Sequence, residues 1–197
     1  PPHSPIVPAT DFVGKSGIDG KEGKYADWVY QGDHMLGQIM DALERTGQDK
    51  NTLLIATGDN GAAKRPYPPL REAKSSIYEG GHREPFVARW PGKIKPGSVN
   101  HNVICLNDLF ATCADILKAD LPANAAEDSV SFLPNLMNKQ DAPVRQAIIN
   151  QASEGLAIRQ GFWKYIVFRN GTRELYNLKE DISETKDVAK TNTEVVT

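Results

Sequence analysis

Two oxygen-bearing side chains, Asp59 and Asn60, stand side by side in the tetrapeptide GDNG at residues 58–61. The apolar run TLLIAT at residues 52–57 precedes them and predicts a strand that ends at Gly58. Ligand sites of α/β sheets lie at the carboxyl ends of strands. Carboxylate and amide oxygens suit a hard divalent cation, and no Cys or His beside them favours zinc. The motif therefore predicts a cation site, with an ordinary turn as the alternative.

Lys74 and His3 are the next candidates for chemistry. Lys74 lies in residues 58–76, a stretch without usable periodicity, and such long loops inside a compact domain are usually functional. A lysine beside a cation could clamp a tetrahedral oxyanion. His3 stands in the segment PHSP at residues 2–5, whose prolines stiffen the backbone, and a histidine can protonate a leaving group near neutral pH. The alternatives are a solvated lysine and an exposed histidine.

The segment YEGGHR at residues 78–83 closes the same loop. Its two glycines allow a tight turn or a close approach to a ligand. Glu79 and Arg83 are predicted to pair with each other rather than to contact a substrate.

The elements that must position these residues follow from hydrophobic periodicity. Apolar residues recur every three or four positions over residues 23–46, which predicts a packing helix that ends at Gly47. The run at residues 52–57 is continuous, which predicts a parallel strand covered on both faces. A second strand is expected at residues 86–90 and a further helix through residues 109–117.

Beyond residue 143 the pattern changes to short strands with a hairpin turn at Asn170-Gly171. We therefore expect a small antiparallel sheet there. The tail, residues 179–197, is charged and polar and favours a surface helix or a frayed end. The strands are predicted at residues 147–150, 156–159, 163–168 and 174–178.

Composition excludes several classes of protein. The chain has 197 residues, of which 40% are hydrophobic and 24% charged, as in folded proteins. The net charge of −2 provides no basic field for nucleic acid. No apolar run approaches the length of a membrane span. We therefore expect neither nucleic acid as a partner nor a membrane span.

In order and spacing, these segments resemble the C-terminal half of the type I, formylglycine-dependent sulfatases, in particular the arylsulfatases. The resemblance implies an α/β fold with an alkaline-phosphatase-like mixed sheet, helices on both faces, and a smaller C-terminal antiparallel sheet. It also implies a partial catalytic domain at residues 1–142 and a small β subdomain at residues 143–197. The matching segments are PHSP (2–5), NTLLI (51–55), TGDNG (57–61), Lys74, YEGGHREPF (78–86), RWPG (89–92), IRQGFWK (158–164) and ELYNL (174–178).

The resemblance implies a role for each candidate. Asp59 and Asn60 correspond to ligands of a divalent cation, calcium in most of the family, with magnesium as the alternative. Lys74 corresponds to a lysine that binds the sulfate oxygens, and His3 to the histidine at the bridging ester oxygen, so both are catalytic and substrate-binding. The substrate would be a sulfate ester of a carbohydrate or an aryl alcohol. Sulfatases of this type are exported or lysosomal.

The formylglycine nucleophile has no counterpart here. It is made from a Cys or Ser in a Cys/Ser-x-Pro/Ala-x-Arg motif, and neither Cys105 nor Cys113 lies in one. We therefore expect it in a missing N-terminal half of the same protein.

Two alternative functions stay open. One is a phosphatase, phosphodiesterase or phosphonate hydrolase of the same superfamily, although those enzymes use two zinc ions and His is scarce near Asp59. The other is a non-catalytic binding module on a degenerate sulfatase scaffold.

We predict that this chain alone does not hydrolyse sulfate esters, because the covalent reaction lacks its nucleophile. The measurement is sulfate release from an aryl sulfate by the purified chain with calcium or magnesium. Turnover comparable to that of the full-length protein would contradict the prediction.

Overall fold

The computed structural model describes residues 3–65, 67–139 and 142–196. The chain divides into two compact units: one reaches to Leu53 and includes Trp90–Gly92, and the other comprises Leu54–Arg89 and Lys93–Thr197. The domain boundary between residues 142 and 143 stays a prediction. No helix in the described part is long and apolar enough to cross a membrane.

The first unit is built on helix α1, Gly23–Arg45. The helix ends with Gly47 at φ +68°, a conformation that favours glycine, so the predicted helix and its end are confirmed. Buried Asp27 accepts hydrogen bonds from the backbone N–H groups of Gly14 (2.8 Å) and Ser16 (3.0 Å) and from the Ser16 hydroxyl (2.7 Å). These bonds lower the pKa of Asp27 and hold the preceding loop on the helix.

The second unit begins with strand β1, Leu54–Thr57, which pairs with β2, Phe86–Arg89. The pairing is antiparallel, and β1 is half-buried with Thr57 exposed. The prediction of a parallel strand covered on both faces is therefore wrong for the pairing of β1 with β2. The reason is topological: helix α2, Glu79–His82, and its flanking loops return the chain in the opposite direction.

Two helices follow β2. These are α3, Asp108–Leu117, and the short α4, Leu133–Leu136. The fully buried Asp108 carboxylate accepts hydrogen bonds from the backbone of Cys105 (2.8 Å) and Val130 (2.9 Å), and it forms an ion pair with Arg145. One carboxylate thus fixes the start of α3 and the segment that leads to the next sheet.

The C-terminal sheet is an antiparallel meander in the order β3-β4-β5-β6, as predicted. Its inner face packs against Ile77 and Tyr78 through Ala157, Ile166 and Tyr176. The turn between β5 and β6 is the predicted Asn-Gly turn, with Gly171 at φ +85°. The strands are β3 Ala147–Gln151, β4 Gly155–Gln160, β5 Trp163–Phe168 and β6 Arg173–Asn177.

A buried ion cluster joins α2, the sheet and the tail. Lys164, 1% exposed, lies 3.1 Å from Glu79 Oε1 and 2.8 Å from Glu184 Oε1. Glu184 also accepts a 2.6 Å hydrogen bond from the backbone N–H of Glu79, and Arg159 Nη1 lies 3.3 Å from Glu79 Oε2. The two buried carboxylates therefore share one fully buried ammonium group.

The cluster corrects the expectation for the tail. No α-helix forms among residues 179–196, and Glu184 is fully buried rather than part of a solvated surface. Its neighbours are held by Asp181, which accepts hydrogen bonds from the backbone N–H groups of Thr185 (2.8 Å) and Lys186 (2.7 Å). A charged segment can lie in the interior here because Lys164 compensates its one buried carboxylate.

We predict that Lys164→Met destabilises the protein by about 3–5 kcal/mol, because it leaves two buried carboxylates without their shared cation. Burial already raises the pKa of Glu184, and loss of Lys164 should raise it further. A raised carboxylate pKa costs stability as the pH rises, so the deficit should shrink as the pH falls from 7 to 5. Denaturant unfolding of the full-length protein measures both effects.

The matched control is Lys190→Met, which removes an exposed lysine of the tail. It should leave the free energy of unfolding within about 0.5 kcal/mol of the wild-type value. Equal stability of the two variants would contradict a structural role for the buried ammonium.

Candidate active site

Asp59 and Asn60 lie directly after β1, where the sequence predicted them. Asp59 is exposed and Asn60 is half-buried. The Asn60 amide donates hydrogen bonds to Asp59 Oδ1 at 3.2 Å and to the Gly61 carbonyl at 3.4 Å. The two side chains are therefore neighbours at one strand end, with the Asp59 carboxylate accessible.

Close backbone packing holds this turn against α2. The Gly61 N–H donates a 3.0 Å hydrogen bond to the Gly81 carbonyl. A Cβ atom on Gly61 would lie 1.9 Å from the Gly80 carbonyl oxygen, and one on Gly81 would lie 2.1 Å from that of Ser76. Only glycine fits at these two positions. The GDNG turn and the YEGGHR segment can therefore pack backbone against backbone.

An open cavity of about 440 Å³ brings two predicted site residues, Asn60 and Lys74, together. Lys74 is exposed, and its backbone N–H donates to the Ala62 carbonyl at 3.4 Å. The C-terminal sheet also lines the cavity, through residues 150–153. The remaining lining residues are Ser75, Ser76, Ile77, Gly81, His82, Asn150, Gln151, Ala152 and Ser153.

His3 belongs to the first unit. It is exposed, and its Nδ1 donates a 2.9 Å hydrogen bond to the carbonyl of Ser4. This contact fixes one ring nitrogen and leaves the other for a second partner. Its place at the bridging ester oxygen stays a prediction.

His82 is a cavity residue that the sequence did not identify. Its Nε2 lies 3.3 Å from Glu79 Oε1, so a buried carboxylate orients the ring. Burial opposes ionisation of Glu79, but the hydrogen bond from His82 and the charges of Lys164 and Arg159 outweigh it and lower the Glu79 pKa below its ordinary value. The predicted pairing of Glu79 with Arg83 is confirmed, at 3.2 Å.

Glu84 is the second residue that the sequence did not single out. Its carboxylate lies over Gly58, since a Cβ atom there would be 2.1 Å from Glu84 Oε2. Burial and the nearby charge of Asp59 raise the pKa of Glu84 above its ordinary value. Nothing in the local pattern marks this glutamate, because only the pairing of β1 with β2 brings it to the GDNG turn.

The donor set fits one hard cation. Asp59 and Asn60 offer carboxylate and amide oxygens, the ligands that calcium and magnesium prefer, and the crowding of Asp59 with Glu84 creates negative potential that a cation would relieve. Among residues 3–65, 67–139 and 142–196, no three His, Cys, Asp or Glu side chains gather as a metal site. The other ligands would therefore come from water, substrate or groups outside these residues.

The model of the sulfatase family matches residues 2–119, and that of the C-terminal part of N-sulphoglucosamine sulphohydrolase matches residues 73–196. The chain belongs to the sulfatase family.

Its relatives include an N-acetylgalactosamine-6-O-sulfatase of Bacteroides thetaiotaomicron, 36% identical over 98% of this chain and 43% of the relative. The human N-acetylgalactosamine-6-sulfatase is 32% identical over 72% of this chain and 28% of its own length. The chain thus spans less than half the length of these relatives.

Solved structures confirm the predicted fold. A sulfatase from the glycosaminoglycan metabolism of Bacteroides thetaiotaomicron superimposes with a TM-score of 0.87 at 35% identity, over 98% of this chain and 46% of the other. The protein i-CgsB, bound to a neocarrahexaose, gives 0.86 at 28% identity over 99% of this chain and 45% of its own. The chain has part of the alkaline-phosphatase-like α/β fold together with the small antiparallel sheet.

We predict that Asp59→Ala weakens calcium binding by the full-length protein on the order of 100-fold or more, because it removes the charged ligand of the pair. Calorimetric titration of the metal-free protein with calcium measures the affinity.

Asp120→Ala is the control, since it removes an exposed carboxylate after α3. It should bind calcium as the wild type does. Unchanged affinity in Asp59→Ala would exclude Asp59 as a ligand.

Proposed function

We propose that the protein containing this chain is a sulfatase that hydrolyses sulfate monoesters of glycans, with 6-O-sulfated N-acetylgalactosamine as the first candidate substrate. The observation that carries the proposal is the cavity in which Asn60 and Lys74 meet. Membership of the sulfatase family supports the reaction. The names of its relatives support the sugar.

Lys74 supplies mobile positive charge at the cavity. Its side chain makes no ion pair with another described residue, so its ammonium is available to sulfate oxygens. Negative charge grows on those oxygens and on the leaving oxygen as the ester bond breaks, and a nearby cation stabilises it. Lys74 thus binds the sulfate and lowers the barrier to its transfer.

Asp59 and Asn60 would hold the divalent cation, calcium by resemblance to the family, on the same side of the cavity. The bound cation would supply Lewis-acid polarisation of the sulfate, and formylglycine, which we place outside this chain, the attacking oxygen. His3 would give its proton to the bridging oxygen as the alcohol leaves.

The donor set favours a sulfatase over the two-zinc phosphatases. The GDNG turn offers carboxylate and amide oxygens, which suit calcium or magnesium, and it contains no His, the usual ligand of zinc. A non-catalytic scaffold is disfavoured because the cavity keeps both the cation ligand Asn60 and the cationic Lys74. An exported or lysosomal location stays part of the proposal.

We predict that Lys74→Ala and His3→Ala each lower kcat about 100-fold, because each removes charge stabilisation or a proton donor from the transition state. Steady-state hydrolysis of 6-O-sulfated N-acetylgalactosamine and of an aryl sulfate by the full-length variants measures the effect.

Lys95→Ala is the matched control, because it removes an exposed lysine of the connector after β2. It should keep the wild-type kcat. If His3→Ala lowers only the folded fraction while kcat per folded molecule holds, His3 is structural. If Lys74→Ala retains full turnover, the role of Lys74 is wrong.

A further inference from the structure

One wall of the cavity is formed by the end of β3 and the turn after it, residues 150–153. These residues read Asn-Gln-Ala-Ser, and no charged side chain occurs from Ala147 to Ser153. The wall is therefore polar and neutral, in contrast to the side that carries Lys74.

Strand alternation places Asn150 on the inner face of the sheet. It shares that face with Ile148, which is 8% exposed, and its cross-strand partner is Ala157, which is 2% exposed. Neither Asn150 nor Ser153 forms a side-chain hydrogen bond with another described residue, so their polar groups are available to a ligand.

Four contacts hold this wall in place. Glu154 Oε2 accepts a 2.9 Å hydrogen bond from the backbone N–H of Ile77, three residues after Lys74. The Arg169 side chain donates to the Ser153 carbonyl at 2.7 Å, and its backbone N–H donates to the Glu154 carbonyl at 2.8 Å. A Cβ atom on Gly155 would lie 2.2 Å from the Val167 carbonyl, so the turn lies tightly on β5. The wall is thus preorganised relative to the Lys74 loop.

We propose that Asn150, with Ser153 beside it, contacts the sugar ring of the substrate and determines which glycan the site accepts. The inference rests on the proposed function, since Lys74 and Asn60 take the sulfate and the neutral wall takes the rest of the molecule. A carboxamide donates and accepts at once, as ring hydroxyl and acetamido groups do. A site built to bond such groups rejects sugars that lack them, because its own polar groups then stay unpaired.

The test uses N-acetylgalactosamine itself, which carries no sulfate and so reports on the wall alone. In the full-length protein, Asn150→Ala should raise the Kd for this sugar about fivefold to tenfold, as expected for one lost hydrogen bond. Asn150→Asp keeps the size of the side chain and loses both donors, so it should also weaken binding. Gln160→Ala removes an amide from the exposed face of the same sheet and should leave the Kd unchanged.

A second, kinetic measurement compares kcat/KM for 6-O-sulfated N-acetylgalactosamine with kcat/KM for 4-nitrophenyl sulfate. In Asn150→Ala the ratio of the two should fall about tenfold, chiefly through a higher KM for the sugar, with the melting temperature preserved. An unchanged Kd, no binding by the wild type, or an equal loss on both substrates would overturn the inference. Sugar binding that depends on Asn150 without hydrolysis of any sulfate ester would instead refute the proposed function alone.

Discussion

The buried pairing of Glu79 with Lys164 and Glu184 is the interaction on which the rest of the second unit depends. Glu79 begins the short helix that packs against the GDNG turn, Lys164 is part of the C-terminal sheet, and Glu184 belongs to the tail. Three segments far apart in sequence are thus joined by charges that have no access to water. Removing Lys164 leaves the carboxylate of Glu184 buried without a cation, which costs far more than an exposed ion pair contributes.

This cluster also determines which cations remain for chemistry. Arg83, Arg159 and Lys164 are all engaged by Glu79, and the same carboxylate orients His82 from behind the cavity wall. Lys74 has no such partner among the described residues and faces the cavity. Those cations are thus engaged in structural ion pairs, whereas the ammonium of Lys74 stays available at the cavity.

The sequence predicted the elements whose signals are local. The period of α1, the strands of the sheet and the GDNG turn are read within a few residues, and Asn60 and Lys74 line one cavity. Pairings between distant segments leave no such signal. A continuous apolar run does not indicate whether its partner is parallel or antiparallel, and Glu184 in a charged tail resembles a surface residue until its partner is known. Lys164 could have been found, because alternation in β5 places it on the face of buried Ile166.

The same long-range packing explains why residues from the C-terminal sheet reach the cavity at all. Ala157, Ile166 and Tyr176 pack on Ile77 and Tyr78, which lie between Lys74 and α2. The apolar contact and the ion cluster both hold the segment between Lys74 and α2, so a shift of the sheet would displace the residues next to Lys74. The neutral wall is thereby held in place relative to Lys74, which is the arrangement that the proposed binding of a sugar ring together with its sulfate group would require.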